Sequence, residues 1–257
     1  MEPQRLSSIH GWEWIKQGFA LFMKSPLLWI VLLMIFLIAA IGFSNVPVVG
    51  EPLVSLLVPV ILVGLMTGCR ALEQDDELEL AHLFSGFHRH TAHLITLGGI
   101  SLVSQFMIFG VMMLLGGADL VSFMMNGPPD PDPELVMEAI KSAGLALMVG
   151  AVLFSMLTMA MQYAPYLVYF NDIAPVQAMK LSFRAFTYNI GPMLVYFSTF
   201  MILAFLASMP AFLGWLVLIP LIFTSLYASF RSIFPVVQGV SSIPLKNSVS
   251  DSDDGTF

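Results

Sequence analysis

Charge is what this chain has least of: Asp, Glu, Lys and Arg make up only 11% of its 257 residues, while 58% are hydrophobic and mean hydropathy is +0.86. A soluble domain carries about 25% charged residues, so this composition excludes an ordinary water-soluble fold. Cysteine is nearly absent too. The single Cys69 cannot close an internal disulfide and has no neighbours at metal-ligand spacing, so it reads as a small packing residue. Catalytic signatures are missing as well. The chain has no Gly-x-Ser-x-Gly, no His-Glu-x-x-His, no phosphate-binding glycine loop and no pair of carboxylates inside an apolar run. No enzyme activity, no cofactor and no nucleic-acid partner is expected.

Six stretches hold no Asp, Glu, Lys, Arg or His at all: 27–43, 53–69, 94–115, 142–164, 190–208 and 212–230. A hydrocarbon core of about 30 Å needs roughly 20 apolar residues in helical form, so each is read as a membrane span. None shows the short alternating pattern of a membrane barrel. The expected fold is all-α, a polytopic bundle of six transmembrane helices in a bacterial inner membrane. Residues 1–246 form one six-span domain, and 247–257 form a disordered polar tail. About 26 residues precede the first apolar run and include Trp12, Trp14 and Phe19, unlike a short basic leader, so the first span is expected to stay as an anchor.

The basic residues set the orientation. With the N-terminus inside, Arg5, Lys16, Lys24, Arg70, Arg89, Lys180, Arg184, Arg231 and Lys246 are cytoplasmic, and only Lys141 is outside. That bias predicts both termini in the cytoplasm. The acidic balance (formal charge −7) contributes little to topology and points to no particular partner.

An amphipathic stretch precedes each of three pairs of spans. Setting Phe19, Phe87 and Phe183 in register aligns Gly18, Gly86 and Ser182, pairs Lys16 with Lys180, and matches Asp76 to Asp172. Pro59 and Arg70 are spaced as Pro220 and Arg231 are. These coincidences predict three units, approximately 11–69, 78–170 and 174–234, each an interfacial amphipathic helix followed by a two-span hairpin. The apolar faces are read as Trp12, Ile15, Phe19 and Phe22; Leu80, Leu83, Phe84 and Phe87; and Val176, Met179, Phe183 and Phe186. Trp12, Trp14, Phe19, Trp29, Phe87, Phe183 and Trp215 are the expected interfacial anchors.

Polar residues within the spans are few. Gln105, with Ser101 and Ser104, lies in the third span, and Gln162, with Ser155 and Thr158, in the fourth. Such glutamines ordinarily bond between helices; Gln105, Ser155 and Gln162 are also the candidates to contact a ligand or line a path. The absence of intramembrane charge argues against a proton- or sodium-driven pump. Prolines interrupt the second span (Pro47, Pro52, Pro59) and the sixth (Pro210, Pro220), a feature that weakly favours a transporter. Gly64-x-x-x-Gly68 and Ala146-x-x-x-Gly150 are close-approach patterns. His82, His88, His90 and His93 cluster before the third span, but nothing completes a metal site and none is expected. Asp132 followed by Pro133 reads as the cap and first turn of a helix.

Gly11-Trp-x-Trp14-Ile15, Gly18-Phe19-x-Leu-Phe22 and Pro26-Leu-Leu-Trp29 resemble the opening of a family of uncharacterised proteobacterial inner-membrane proteins. Arg70-Ala71-Leu72, His82-Leu-Phe-x-Gly-Phe87, Pro165, Asn171-Asp172 and Phe183-x-x-Phe186 extend the likeness over most of the chain. More distantly it is similar to the membrane regions of some bacterial glycerophosphodiester phosphodiesterases, without their hydrolase domain. The resemblance implies inner-membrane residence and brings no catalytic residues. Two functions remain open: a non-catalytic protein that organises lipid or a partner, either another membrane protein or a second copy in a homo-oligomer, and a transporter or channel for a small or amphipathic solute.

Overall fold

The computed structural model describes residues 2–46, 49–126, 132–209 and 211–235. Among them there are helices and no strand. Six helical segments are long and apolar enough to cross a membrane: Pro26–Phe43, Pro52–Glu73, Thr91–Asn126, Gly144–Asn171, Ile190–Ser208 and Trp215–Ile233. Pro47, Pro210, Asp130, Lys246 and the expected 247–257 tail lie outside the described residues.

Helix α1 (His10–Lys24) leads through Ser25 into α2 (Pro26–Ser44), which starts on a proline whose missing N–H costs nothing in a first turn. The second span is α3 (Gly50–Glu73), with Pro59 inside it. The second amphipathic segment departs from expectation: Leu80–Phe87 is a short 3-10 helix, not an α-helix. Its first turn is tied by the His82 ring, whose Nδ1 accepts the Glu79 N–H at 3.0 Å.

The third span also differs. Helix α4 (Thr91–Met112) runs into a π-helical segment, Met113–Gly117, and continues as α5 (Ala118–Asn126). The bend falls at Gly116, whose φ of +102° is open to glycine and strained for other residues. Helix α6 (Pro133–Ser142) begins as read, with Asp132 Oδ1 accepting the Glu134 N–H at 3.3 Å.

The fourth span is broken into α7 (Gly144–Met161) and α8 (Ala164–Asn171). Two residues explain the break. Pro165 cannot donate to the Met161 carbonyl and crowds it. Ser182, on α9 (Pro175–Tyr188), inserts its hydroxyl at the same place: Oγ donates to the Met159 carbonyl at 2.7 Å and accepts the Tyr163 N–H at 3.0 Å. Those two backbone groups would otherwise bond each other in a continuous helix. The last spans are α10 (Ile190–Ser208) and α11 (Trp215–Ile233).

The short helices do not lie loosely on the bundle. Helix α1 packs on α11 and α10, the 3-10 helix packs on α3, and α9 packs on α7 and α8. A small residue marks each contact. A Cβ added at Gly18 would sit 2.5 Å from the Ser225 backbone nitrogen, one at Gly86 would strike the Val60 carbonyl, and Ser182 makes the bonds just described. The paired small residues read from the sequence also mark close approaches. Gly64 faces the His82 and Leu83 carbonyls, and Gly150 faces the Met112 side chain.

Extended backbone before α1 ties the chain's beginning to its last helix. Gln4 N–H donates to the Ile233 carbonyl at 2.9 Å; Asn189 Nδ2 donates to the Gln4 carbonyl, and Leu6 N–H to Asn189 Oδ1, both at 2.9 Å. Residues 4–6 and the end of α11 are therefore on the same side of the bundle.

The core lies where α1, α3, α8 and α11 converge. Tyr163 sits edge-on to Phe234 at 5.9 Å and Tyr166 edge-on to Phe230 at 5.7 Å, and the Tyr163 hydroxyl bonds Ser229 Oγ at 2.9 Å. Leu94, Leu97, Met66 and Cys69 are buried with them. By contrast, α4 and α7 lean chiefly on each other and on α3 and α9, leaving much of their apolar surface for lipid.

Candidate functional site

Among the polar residues expected within the spans, none meets another across helices. Gln105 is exposed, and its Nε2 donates to Ser101 Oγ of the same helix at 3.1 Å. Ser155 is exposed and donates to the Ala151 carbonyl one turn back at 2.7 Å. Gln162 is half-buried at the α7–α8 break. Gln105 and Ser155 satisfy themselves locally, one on a serine one turn away and the other on a backbone carbonyl. None of the described cavities reaches Gln105, Ser155 or Gln162.

The aromatic anchors divide into three groups. Trp12, Phe19 and Phe87 are exposed on the outside of the bundle, as an interfacial role requires. Phe183 and Trp215 are half-buried, and the Trp215 indole N–H donates to Ser208 Oγ at 3.0 Å. Trp14 and Trp29 correct the expectation: they are 0% and 1% exposed, members of the core. Trp14 lies edge-on to Tyr196 at 6.0 Å. The cause is the position of the glycines. Gly11 and Gly18 bring the α1 backbone against α10 and α11, so the helix buries the stripe Gly11, Trp14, Ile15, Gly18 and Phe22 and turns Trp12 and Phe19 outward. On α9 the buried residues are likewise Ala178, Ser182 and Ala185, with the bulky residues flanking them.

Of the histidines before the third span, His82 and His88 use a ring nitrogen within their own segment, while His90 Nε2 lies 2.5 Å from Asp172. His88 Nδ1 lies 2.9 Å from the Phe84 carbonyl, and His90 stacks on His93 at 5.9 Å.

Three of the hollows among the described residues measure about 210 Å³ or more. The largest, about 690 Å³, is an apolar groove floored by Trp12, Ile15 and Phe19 of α1 and walled by Leu203 and Leu206 of α10 and Val217 of α11, with Lys16 on its lining. A second, of about 210 Å³, lies between α1, α3 and α11 and is closed electrostatically. There Glu73 pairs with Arg231 and accepts the Tyr227 hydroxyl at 2.6 Å, Arg231 donates to Gln17 at 3.1 Å, and Lys24 bonds the Leu72 carbonyl and Asp75, each at 2.6 Å. The Lys24 ammonium, by hydrogen bond first and charge second, holds the Asp75 carboxyl below the usual carboxylate range.

The third hollow is a polar basin of about 340 Å³ at the α3–3-10 helix end of the bundle, lined by Thr67, Arg70, Gln74, Asp76, His82, Arg89 and Tyr169 among others. Sequence reasoning used Arg89 as an orientation marker, and Arg70 for orientation, for the repeat and for the family resemblance. Nothing in their spacing showed that a turn after α3 brings them to one hollow.

Six apolar helices of spanning length, joined by short connections and short packed helices, define a multi-pass α-helical membrane protein. A probable inner membrane protein of Burkholderia thailandensis is 30% identical over 269 aligned residues, covering 95% of this chain and 98% of the relative. The chain belongs to the family of that protein, and it is a multi-pass inner-membrane protein. No family model matches it, and no solved structure does.

Proposed function

We propose that this protein is a non-catalytic organiser of the inner membrane that binds lipid or a partner membrane protein. In this reading it is built of three repeated units, with both termini in the cytoplasm and its short helices as a cytoplasmic collar. The observation that carries the reading is the contrast between inside and outside. Where the spans converge, aromatic side chains close the interior, while an apolar groove of about 690 Å³ faces outward, within the size range of ligand sites. Gln105, Ser155 and Thr158, exposed on α4 and α7, support a contact with a second copy or another membrane protein, because polar side chains facing hydrocarbon gain from a partner. A solute path through Gln105 and Gln162 has no such support. The likeness to glycerophosphodiester phosphodiesterase membrane regions supplies no residue to this reading.

The order of packing supports the three units: the short helix of each rests on the second span of another, α1 on α11, the 3-10 helix on α3 and α9 on α7 with α8. The distribution of basic residues supports the orientation. A reporter fused after Asp130 should therefore read as periplasmic, and a cytoplasmic signal there overturns the orientation. The role is tested by native mass spectrometry of gently extracted protein, together with solute flux in proteoliposomes. Retained lipid or partner with flux no greater than in empty vesicles is the expected result. Flux that disappears in Gln162→Leu would establish the transporter instead.

A further inference from the structure

We propose that the basin bounded by Arg70, Gln74, His82 and Arg89 binds a phosphate-class anion, supplied by a lipid headgroup or by a free phosphate ester. This goes beyond the organiser reading by naming a site and a ligand chemistry.

The first ground is the state of Arg70. Among the described residues its guanidinium has no carboxylate and no hydrogen-bond acceptor, and it lies over the Phe170 ring at 5.6 Å. The aromatic contact restrains the group and leaves its five N–H donors without an acceptor among the described residues, able to meet a planar or tetrahedral anion. Arg231 shows the alternative. It follows Pro220 at the same spacing as Arg70 follows Pro59, yet it is paired with Glu73 and Gln17. One arginine of the pair is neutralised within the fold, while the other faces a hollow.

The second ground is the donor inventory of the remaining wall. Because His82 Nδ1 accepts the Glu79 N–H, the neutral ring carries its proton on Nε2. Arg89 spends Nε on His90 and Nη2 on both Asp172 oxygens, at 2.9 and 2.8 Å, which leaves Nη1. Gln74 adds an amide. The last carbonyls of α3 do not oppose an anion strongly, since the N–H groups of Gln74, Asp75 and Asp76 already occupy those of Arg70, Ala71 and Leu72.

Two acids temper the field. Asp172 offsets Arg89, and Asp76 lies on the wall with no cationic partner among the described residues. One uncompensated arginine beside one carboxylate suits a monoanionic phosphodiester better than a dianion, and the basin sits at the end of α3, at headgroup depth for a span of that length.

The test uses the full chain in a neutral detergent, with short-chain phosphatidylglycerol and, separately, inorganic phosphate as probes, and binding read by calorimetric titration. Arg70→Gln should weaken phosphatidylglycerol binding about tenfold or more, the scale of a lost charged hydrogen bond. Asp76→Asn should tighten it severalfold. Arg184→Gln, whose guanidinium contacts Tyr188 and Glu2 elsewhere, should leave it unchanged. Inorganic phosphate displacing the lipid at similar concentration marks a free phosphate ester as the ligand, and a lack of displacement marks the headgroup. Equal weakening by Arg70→Gln and Arg184→Gln overturns the site as a general basic-surface effect, and so does weakening by Asp76→Asn. Overturning it while lipid still co-extracts with the protein leaves the organiser reading in place.

Discussion

Replacing Trp14 with alanine should destabilise the bundle by about 3–5 kcal/mol, the usual cost of removing a fully buried aromatic side chain. The same change at Trp12, two residues away, should cost less than about 1 kcal/mol, as expected of an exposed side chain. Trp14 is 0% exposed between α1 and α10, while Trp12 is 45% exposed. A cavity at Trp14 would strip contacts from Tyr196 and from the Ile15–Phe22 stripe, which cannot collapse because Gly11 and Gly18 already hold the backbones in contact. Unfolding in mixed detergent, followed by circular dichroism, separates the two variants. Equal effects would return Trp14 to the membrane interface and undo the assignment of α1's buried face.

Ser182→Ala should cost about 2–6 kcal/mol, because two backbone groups, one buried and one part-buried, lose their partner at about 1–3 kcal/mol each. The Met159 carbonyl and the Tyr163 N–H have no water to turn to in that position, and Pro165 prevents the helix from closing over the gap. Ser155→Ala, which removes an exposed hydroxyl bonded within its own helix, should change stability by less than about 0.5 kcal/mol. The same unfolding measurement decides it. A cost for Ser182→Ala no greater than for Ser155→Ala would mean that the break in the fourth span needs no hydroxyl.

These two residues also show where sequence reading succeeds and where it stops. The spans were legible because a charge-free run of sufficient length has one stable solution in hydrocarbon. Asp132–Pro133 was legible as a helix start because capping is a local matter. The face that α1 buries was not. Reading by hydrophobicity grouped Trp14 with Trp12 and Phe19 as interfacial anchors, but in a membrane lipid competes equally for apolar side chains, and packing goes to the residues that let backbones approach. Gly11, Gly18, Gly86 and Ser182 decide the faces, and the bulky residues take what remains. The break at Tyr163 was hidden for a similar reason. Pro165 was visible, but the hydroxyl that stabilises the interruption comes from another helix. Gln105, Ser155 and Gln162 stood out in the sequence because polar residues are rare in the spans; in the structure Gln105 and Ser155 bond along their own helices.

The packing of α1 on α11 bears on how the protein is made. Helix α1 leaves the ribosome before any of the six spans described, and its resting place is the sixth of them. Until α11 arrives, Gly18 has no Ser225 to meet and Trp14 has only part of its pocket, so the first helix must wait at the membrane surface through the synthesis of five spans. The final assembly step is then a long-range closure, and the bonds from Gln4 to Ile233 and Asn189 act as its latch. A chain truncated before α11 could insert its spans and still present an uncovered α1 to the cell's quality control.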